Sequence, residues 1–149
     1  MKRLKTGVIG LGRMGQHHCR ILASQKDAQL VGIYDIDPKV AEEISERYDV
    51  PVYQQLNDLL EQVDAVSIAT PTPTHFDIAM RCLERKIHVL IEKPVTDKIK
   101  DAEQIARYIT GKDIIVQVGH IERFNPTYIE LKKVLEGMKV IAINFRRLS

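Results

Sequence analysis

Residues 5–24 read KTGVIGLGRMGQHHCRILAS. A short apolar run ends in Gly10-Leu11-Gly12-Arg13-Met14-Gly15, and a helical pattern follows at once, from about Met14 to Ser24. As a bare string G-x-G-x-x-G is a weak signal, because 8 glycines in 149 residues will sometimes fall this way. Its setting strengthens it. A strand pattern precedes it, a helix follows it, and the next apolar run ends in an acidic residue, Asp35, 20 residues beyond Gly15. In a dinucleotide fold each glycine has its own use. Gly10 permits the tight turn, Gly12 lets the backbone approach a pyrophosphate, and Gly15 lets the helix pack on the strand. The helix start, which carries Arg13 and Met14, offers N–H donors and a partial positive charge to phosphates. Asp35 is suited to accept hydrogen bonds from the adenosine ribose hydroxyls, and its carboxylate would repel a 2′-phosphate. Ile36 offers no cation, so NAD is expected over NADP, with Arg13 and Lys39 as the nearby charges that oppose this preference.

Outward from this stretch the pattern alternates. Strand runs are expected at 5–11, 30–35, 52–53, 65–69, 89–91 and 114–118, with helices between them. Asp37-Pro38 reads as N-cap and first helical residue, followed by an apolar stripe of Val40, Ile44 and Tyr48. Leu56, Leu59, Leu60 and Val63 mark a short helix. Thr74 is placed to cap another, with Phe76, Ala79, Met80 and Leu83 on its inner face. Ile99, Ala102, Ile105, Ala106 and Ile109 form a further stripe. The strand runs are short and nearly continuous in Val, Ile, Leu and Ala, as strands covered by helices on both faces must be. The expected fold is α/β, a doubly wound parallel sheet of the Rossmann type over residues 1–125.

The last residues break this rhythm. Asn125-Pro126 repeats the N-cap signal, and Tyr128, Leu131, Val134, Leu135 and Met138 give one more helix with Gly137 as its stop. Over residues 140–148, Ile141, Ile143 and Phe145 then alternate with Ala142, Asn144 and Arg146, the mark of a strand with one buried and one wet face. Residues 126–149 therefore read as a connecting helix and the first strand of a truncated second α/β domain. An apolar strand face with an open edge recruits other chains, so a homo-oligomer through residues 126–148 is expected.

Composition excludes other classes. A net charge of +2 and an aromatic set of five Tyr, three Phe and no Trp give no reason to expect nucleic acid as a partner. No apolar run approaches the length of a spanning helix, and no membrane association is expected. Cys19 and Cys82 fall inside helical patterns, which fits a reducing cytoplasm rather than a disulfide scaffold. His17-His18-Cys19 looks like a metal cluster, but adjacent helical residues point about 100° apart and cannot share one ion, so no metal is expected. On the same grounds Cys19, on the helical face of Gly15 and Leu22, is expected in the core.

Glu92-Lys93-Pro94 ends the fifth expected strand, at the carboxyl edge where open α/β sheets bind ligands. Joined to Gly10–Gly15, Asp35, Ala69-Thr70-Pro71 with His75, and Gly119-His120 running into Arg123-Phe124-Asn125-Pro126, it makes the chain resemble the Gfo/Idh/MocA oxidoreductases from about residue 5 to its end. The stretch 119–126 looks most like members that oxidise the 3-hydroxyl of UDP-N-acetylglucosamine. The resemblance implies an NAD(P)-dependent dehydrogenase acting on a sugar or nucleotide-sugar. Thr70, Pro71 and His75 would line the cofactor and Glu92 would bind the nicotinamide ribose. Lys93 would hydrogen-bond the reacting hydroxyl, with a cis peptide before Pro94, and Arg123 and Asn125 would approach the nicotinamide and sugar. Chemistry agrees for Lys93, since alcohol oxidation needs a proton taken as hydride leaves, and a lysine taken partly out of water releases its own proton more readily. Family members are more than twice as long, so this chain alone is expected to be inactive, a cofactor domain with half an active site. The competing expectation is a non-catalytic dinucleotide-binding sensor or interaction module.

Overall fold

In chain order the elements are β1 (Leu4–Ile9), α1 (Arg13–Ser24), β2 (Ala28–Tyr34), α2 (Pro38–Tyr48), α3 (Leu56–Leu60), β3 (Ala65–Ile68), α4 (His75–Glu84), β4 (His88–Ile91), α5 (Ile99–Ile109), β5 (Val116–Val118) and α6 (Pro126–Leu135), with 3-10 turns at Thr72–Thr74 and Ile121–Phe124. They come from a computed structural model that describes residues 3–142 and Asn144. All strand pairs are parallel, in the order β2-β1-β3-β4-β5. The chain leaves β1 for one side of the sheet, returns past it to β3, and continues outward. That reversal opens a crevice at the carboxyl ends of β1 and β3, where the helices on either side diverge.

Two apolar cores flank the sheet, because successive strand residues point to opposite faces. Val8 and Ile33 join Cys19 of α1 with Ala41 and Ile44 of α2 on one face. Ile9, Val66, Ile68, Val89 and Ile91 join α3, α4 and Ile105 of α5 on the other. Leu59 of α3 lies flat against the sheet: a Cβ on Gly7 would come within 3.1 Å of its methyl, and one on Gly32 within 2.7 Å. These two glycines remove the side chains that would hold α3 off. Each large apolar side chain fully buried here contributes about 1.5–3 kcal/mol, which explains why strands as short as three or four residues suffice. Both cysteines are free and buried, and burial pushes each thiol up to about 12.

The local signals act as read at several points. Asp37 accepts a hydrogen bond from the Lys39 amide at 3.0 Å with Pro38 behind it, so α2 is capped by its own sequence. Three expectations need correction. Val52 forms an isolated parallel bridge to Ile33 rather than a strand, so among the described residues the sheet has five strands, not six; the loop touches the sheet edge over too few residues to extend it. Thr74 caps nothing with its side chain, since the 3-10 turn runs straight into α4 and its hydroxyl is spent on Pro71 O and Thr70 Oγ1. Ile99 starts α5 but lies exposed, ahead of the turn that meets the core.

The chain divides after Gly119 into two compact units. In the second, Asn125 accepts from the Thr127 amide at 3.0 Å and Pro126 occupies the first turn of α6, which ends before Gly137 in the left-handed region at φ +78°. None of the residues of α6 is buried. Of the strand read over 140–148, Val140, Ile141, Ala142 and Asn144 carry no strand pairing, and Ile143 and residues 145–148 lie outside the described residues. Among the described residues no helix is long and apolar enough to cross a membrane.

Candidate functional site

A row of backbone hydrogen bonds closes the carboxyl edge of the sheet. Gly10 N donates to Tyr34 O, Ala69 N to Ile9 O, Glu92 N to Ile68 O and Gly119 N to Ile91 O, all at 2.8–2.9 Å. The loop after each strand is thereby held level with its neighbours. Gly10, Asp35, Thr70, Glu92 and Lys93 accordingly stand along one edge, each one or two residues past a strand end.

The three glycines of the first loop differ in what requires them. Gly10 has φ +86°, and a Cβ there would come 2.7 Å from Thr70 N. A Cβ at Gly15 would overlap Gly10 O, so α1 can begin this close to the loop only without one. Gly12 is different: its φ is −63°, and a Cβ would meet no atom of the described residues within 4 Å beyond its chain neighbours. Nothing in the fold itself asks for glycine at Gly12, which leaves bare backbone facing open space. Gly12 caps α1 without a side-chain hydrogen bond, and the first turn holds no acidic residue. The N–H groups of this turn are free to meet an anion, with Arg13 and Met14 exposed beside them. Gly12 and the uncapped turn therefore fit a dinucleotide pyrophosphate.

Asp35 lies at the same corner. Its Oδ2 accepts from Leu11 N at 2.6 Å and its Oδ1 from Asp37 N at 2.9 Å. It thus ties the glycine loop to the end of β2, and each oxygen retains capacity for a further donor.

On the far side of the crevice the Lys93-Pro94 peptide is cis. His75 is 1% exposed, with Nδ1 3.0 Å from Pro94 O and Nε2 2.8 Å from Thr70 O. Its ring lies between the loop after β4 and the loop after β3, each nitrogen facing a backbone carbonyl to which an N–H on it can donate. Thr70 is half-buried, Pro71 is exposed, and Lys93 is exposed. The partial desolvation expected of Lys93 is not supplied by its neighbours here. Glu92, by contrast, is 8% exposed. Its Oε1 lies 3.0 Å from His18 Nε2, its Oε2 accepts from Lys93 N at 3.2 Å, and the second ring nitrogen of His18 lies 2.7 Å from Ser67 Oγ. Arg123 and Asn125 belong to the second unit, where Asn125 Nδ2 donates to Glu122 Oε2 at 2.8 Å.

Residues 4–120 match the Gfo/Idh/MocA family, described as an oxidoreductase family with an NAD-binding Rossmann fold. The chain belongs to this family. UDP-N-acetylglucosamine 3-dehydrogenase of Acidithiobacillus ferrooxidans is 34% identical over 133 residues, which cover 89% of this chain and 42% of that protein. Its crystal structure superposes with a TM-score of 0.84 over 90% of this chain and 44% of that one. Inositol 2-dehydrogenase of Rubrobacter xylanophilus is 34% identical over 139 residues, covering 90% of this chain and 40% of that protein. Scyllo-inositol dehydrogenase of Lactobacillus casei, solved with NAD(H) and scyllo-inositol, superposes with a TM-score of 0.85 at 26% identity over 91% of this chain and 41% of that one. The chain therefore spans about two fifths of the length of these Gfo/Idh/MocA relatives.

Sequence reasoning misses the part of the site that lies inside. Spacing along the chain presents His18 only as a metal ligand, yet it points at Glu92 while His17 is exposed and Cys19 buried. The signal is present in Ser67, a hydroxyl in the middle of an otherwise apolar buried strand, where an unpaired polar group is costly and a partner must exist.

Proposed function

We propose that this chain is the NAD-binding part of a dehydrogenase that moves a hydride between a hydroxyl-bearing carbon of a sugar or nucleotide-sugar and nicotinamide. The observation that carries this reading is the corner where bare Gly12, the uncapped start of α1 and Asp35 meet. Gly10, Gly12, Arg13, Met14 and Gly15 take the pyrophosphate, and Asp35 the adenosine ribose. Thr70 and Pro71 form the wall beside them, with buried His75 behind it between the two loops rather than against the cofactor, and Glu92 accepts from the nicotinamide ribose. NAD, when bound, supplies the hydride acceptor. Lys93 stands at the same edge to hold the hydroxyl proton as the carbon is oxidised, a role its exposed position leaves open to substrate. Arg123 and Asn125 contribute to the sugar side.

The substrate class rests on the relatives, which are named for UDP-N-acetylglucosamine and inositols. We read residues 1–125 as the dinucleotide-binding domain and 126–149 as part of a substrate and subunit-contact region, through which the chain forms a homo-oligomer. Two free cysteines support a reducing compartment, the cytoplasm. The chain alone is read as inactive, because a near-attack pose needs substrate held on more sides than these residues offer.

Titration of the purified chain with NADH and NADPH tests the cofactor site. NADH binds tighter by about tenfold, and Asp35→Ala narrows that gap, since the carboxylate both accepts from the ribose and repels a 2′-phosphate. Equal or reversed affinities in the unaltered chain overturn the assignment of Asp35.

A further inference from the structure

Glu92 poses a problem that the cofactor site alone does not solve. A carboxylate only 8% exposed at the end of a strand is costly to bury unless its oxygens are hydrogen-bonded. Lys93 N serves one oxygen at 3.2 Å and His18 Nε2 the other at 3.0 Å. Behind the carboxylate is Gly119, where a Cβ would lie 3.0 Å from Oε1, so the carboxylate packs against bare backbone. Its orientation is fixed from three directions by the end of β5, the backbone of its own strand end, and α1.

His18 is itself held. It lies three residues after Gly15, on the face of α1 that meets the sheet, and its Nδ1 is 2.7 Å from the hydroxyl of Ser67. Ser67 is 3% exposed in β3 and points to the α1 face, opposite its strand neighbours Val66 and Ile68. One proton arrangement gives every member a partner with a neutral ring: the Ser67 hydroxyl donates to Nδ1, and Nε2–H donates to Glu92. This chain of bonds spans β3, α1 and β4.

We propose that His18, anchored by Ser67, is a positioning residue that aims the Glu92 carboxylate at the nicotinamide ribose. The inference rests on the reading above that Glu92 faces that ribose. Its consequence is that α1 registers both ends of the cofactor. The first turn of α1 presents donors to the pyrophosphate, and His18, five residues after Arg13, sets the acceptor for the ribose, about 7.5 Å further along the axis. A rigid helix fixes that spacing without any contact between His18 and the cofactor.

Binding of NADH and of ADP, which lacks the nicotinamide riboside, separates positioning from folding. His18→Ala weakens NADH by about tenfold, the loss of one well-oriented acceptor, and leaves ADP within about twofold. His18→Gln, which keeps an amide donor toward Glu92, falls between the two. Ser67→Ala frees the ring without removing it and weakens NADH by a smaller factor, again sparing ADP. It carries the test should His18→Ala fail to fold. Equal losses for NADH and ADP in these variants, or unchanged NADH affinity, overturn the proposal and leave His18 a structural group. Absence of NADH and ADP binding in the unaltered chain overturns the cofactor reading itself. NADH and ADP binding that is indifferent to both substitutions overturns only the role of His18.

Discussion

The two compact units treat the same kind of sequence pattern in opposite ways. Before Gly119, the stripes on α1 to α5 close over a sheet to give two cores, and Leu59 is 0% exposed. After Gly119, the sequence reads a stripe of Tyr128, Leu131, Val134, Leu135 and Met138; α6 carries the first four, Met138 lies beyond its end at Leu135, and none of its residues is buried. Local capping does not separate them, since α2 and α6 are capped alike by Asp37-Pro38 and Asn125-Pro126. A sheet does. Ten residues of helix are too few to stand alone in water, so amphipathic order in α6 has meaning only against a surface that the described residues of its own unit do not supply. A well-formed pattern states that a surface will be covered, without saying by what.

The largest expected effect lies in the first unit. Leu59→Ala leaves a cavity between α3 and the bare backbones of Gly7 and Gly32, and lowers stability by about 2–5 kcal/mol in urea unfolding. A loss below about 1 kcal/mol would show that α3 is not part of the closed core. Next in size is association. Light scattering gives a dimer for the 149-residue chain and a monomer for a version ending at Asn125, because the apolar stripe of α6 is removed with it. A dimer that survives the shortening places the contact in the first unit and breaks the comparison. The smallest effect belongs to Val134→Ala. Val134 is 61% exposed, and its loss changes unfolding stability by no more than about 0.5 kcal/mol.

Much of the fold is legible in the sequence because its signals are local. Strand runs covered on both faces must be apolar throughout, and Asp37-Pro38 and Asn125-Pro126 announce their helices by chemistry that acts within three residues. The glycine loop is legible for the same reason. What escapes depends on distance in sequence. Val52 and Tyr53 make a strand-like pair, yet whether they extend a sheet depends on the path of the loop around them. Thr74 has the right side chain for a cap, but Thr70 and Pro71 claim it first. Within the site, Gly10, Gly15 and Asp35 stand out by spacing, whereas the bond between His18 and Glu92 joins residues 74 positions apart. His75 looks like a cofactor ligand because it is polar and near Thr70-Pro71; that proximity instead buries its ring between the carbonyls of Thr70 and Pro94.

We propose that NAD binds along the carboxyl edge of the sheet, at the glycine loop that follows β1. An amide NMR titration of the 149-residue chain with NADH tests it most directly, because each loop reports separately. The expected result is a set of shifts concentrated on residues 10–15, 35–37, 69–71 and 92–93, saturating with one site. Shifts gathered elsewhere, as in the hollow of about 310 Å³ between Leu83, Tyr108 and Ile114 on α4, α5 and the loop before β5, would contradict the account.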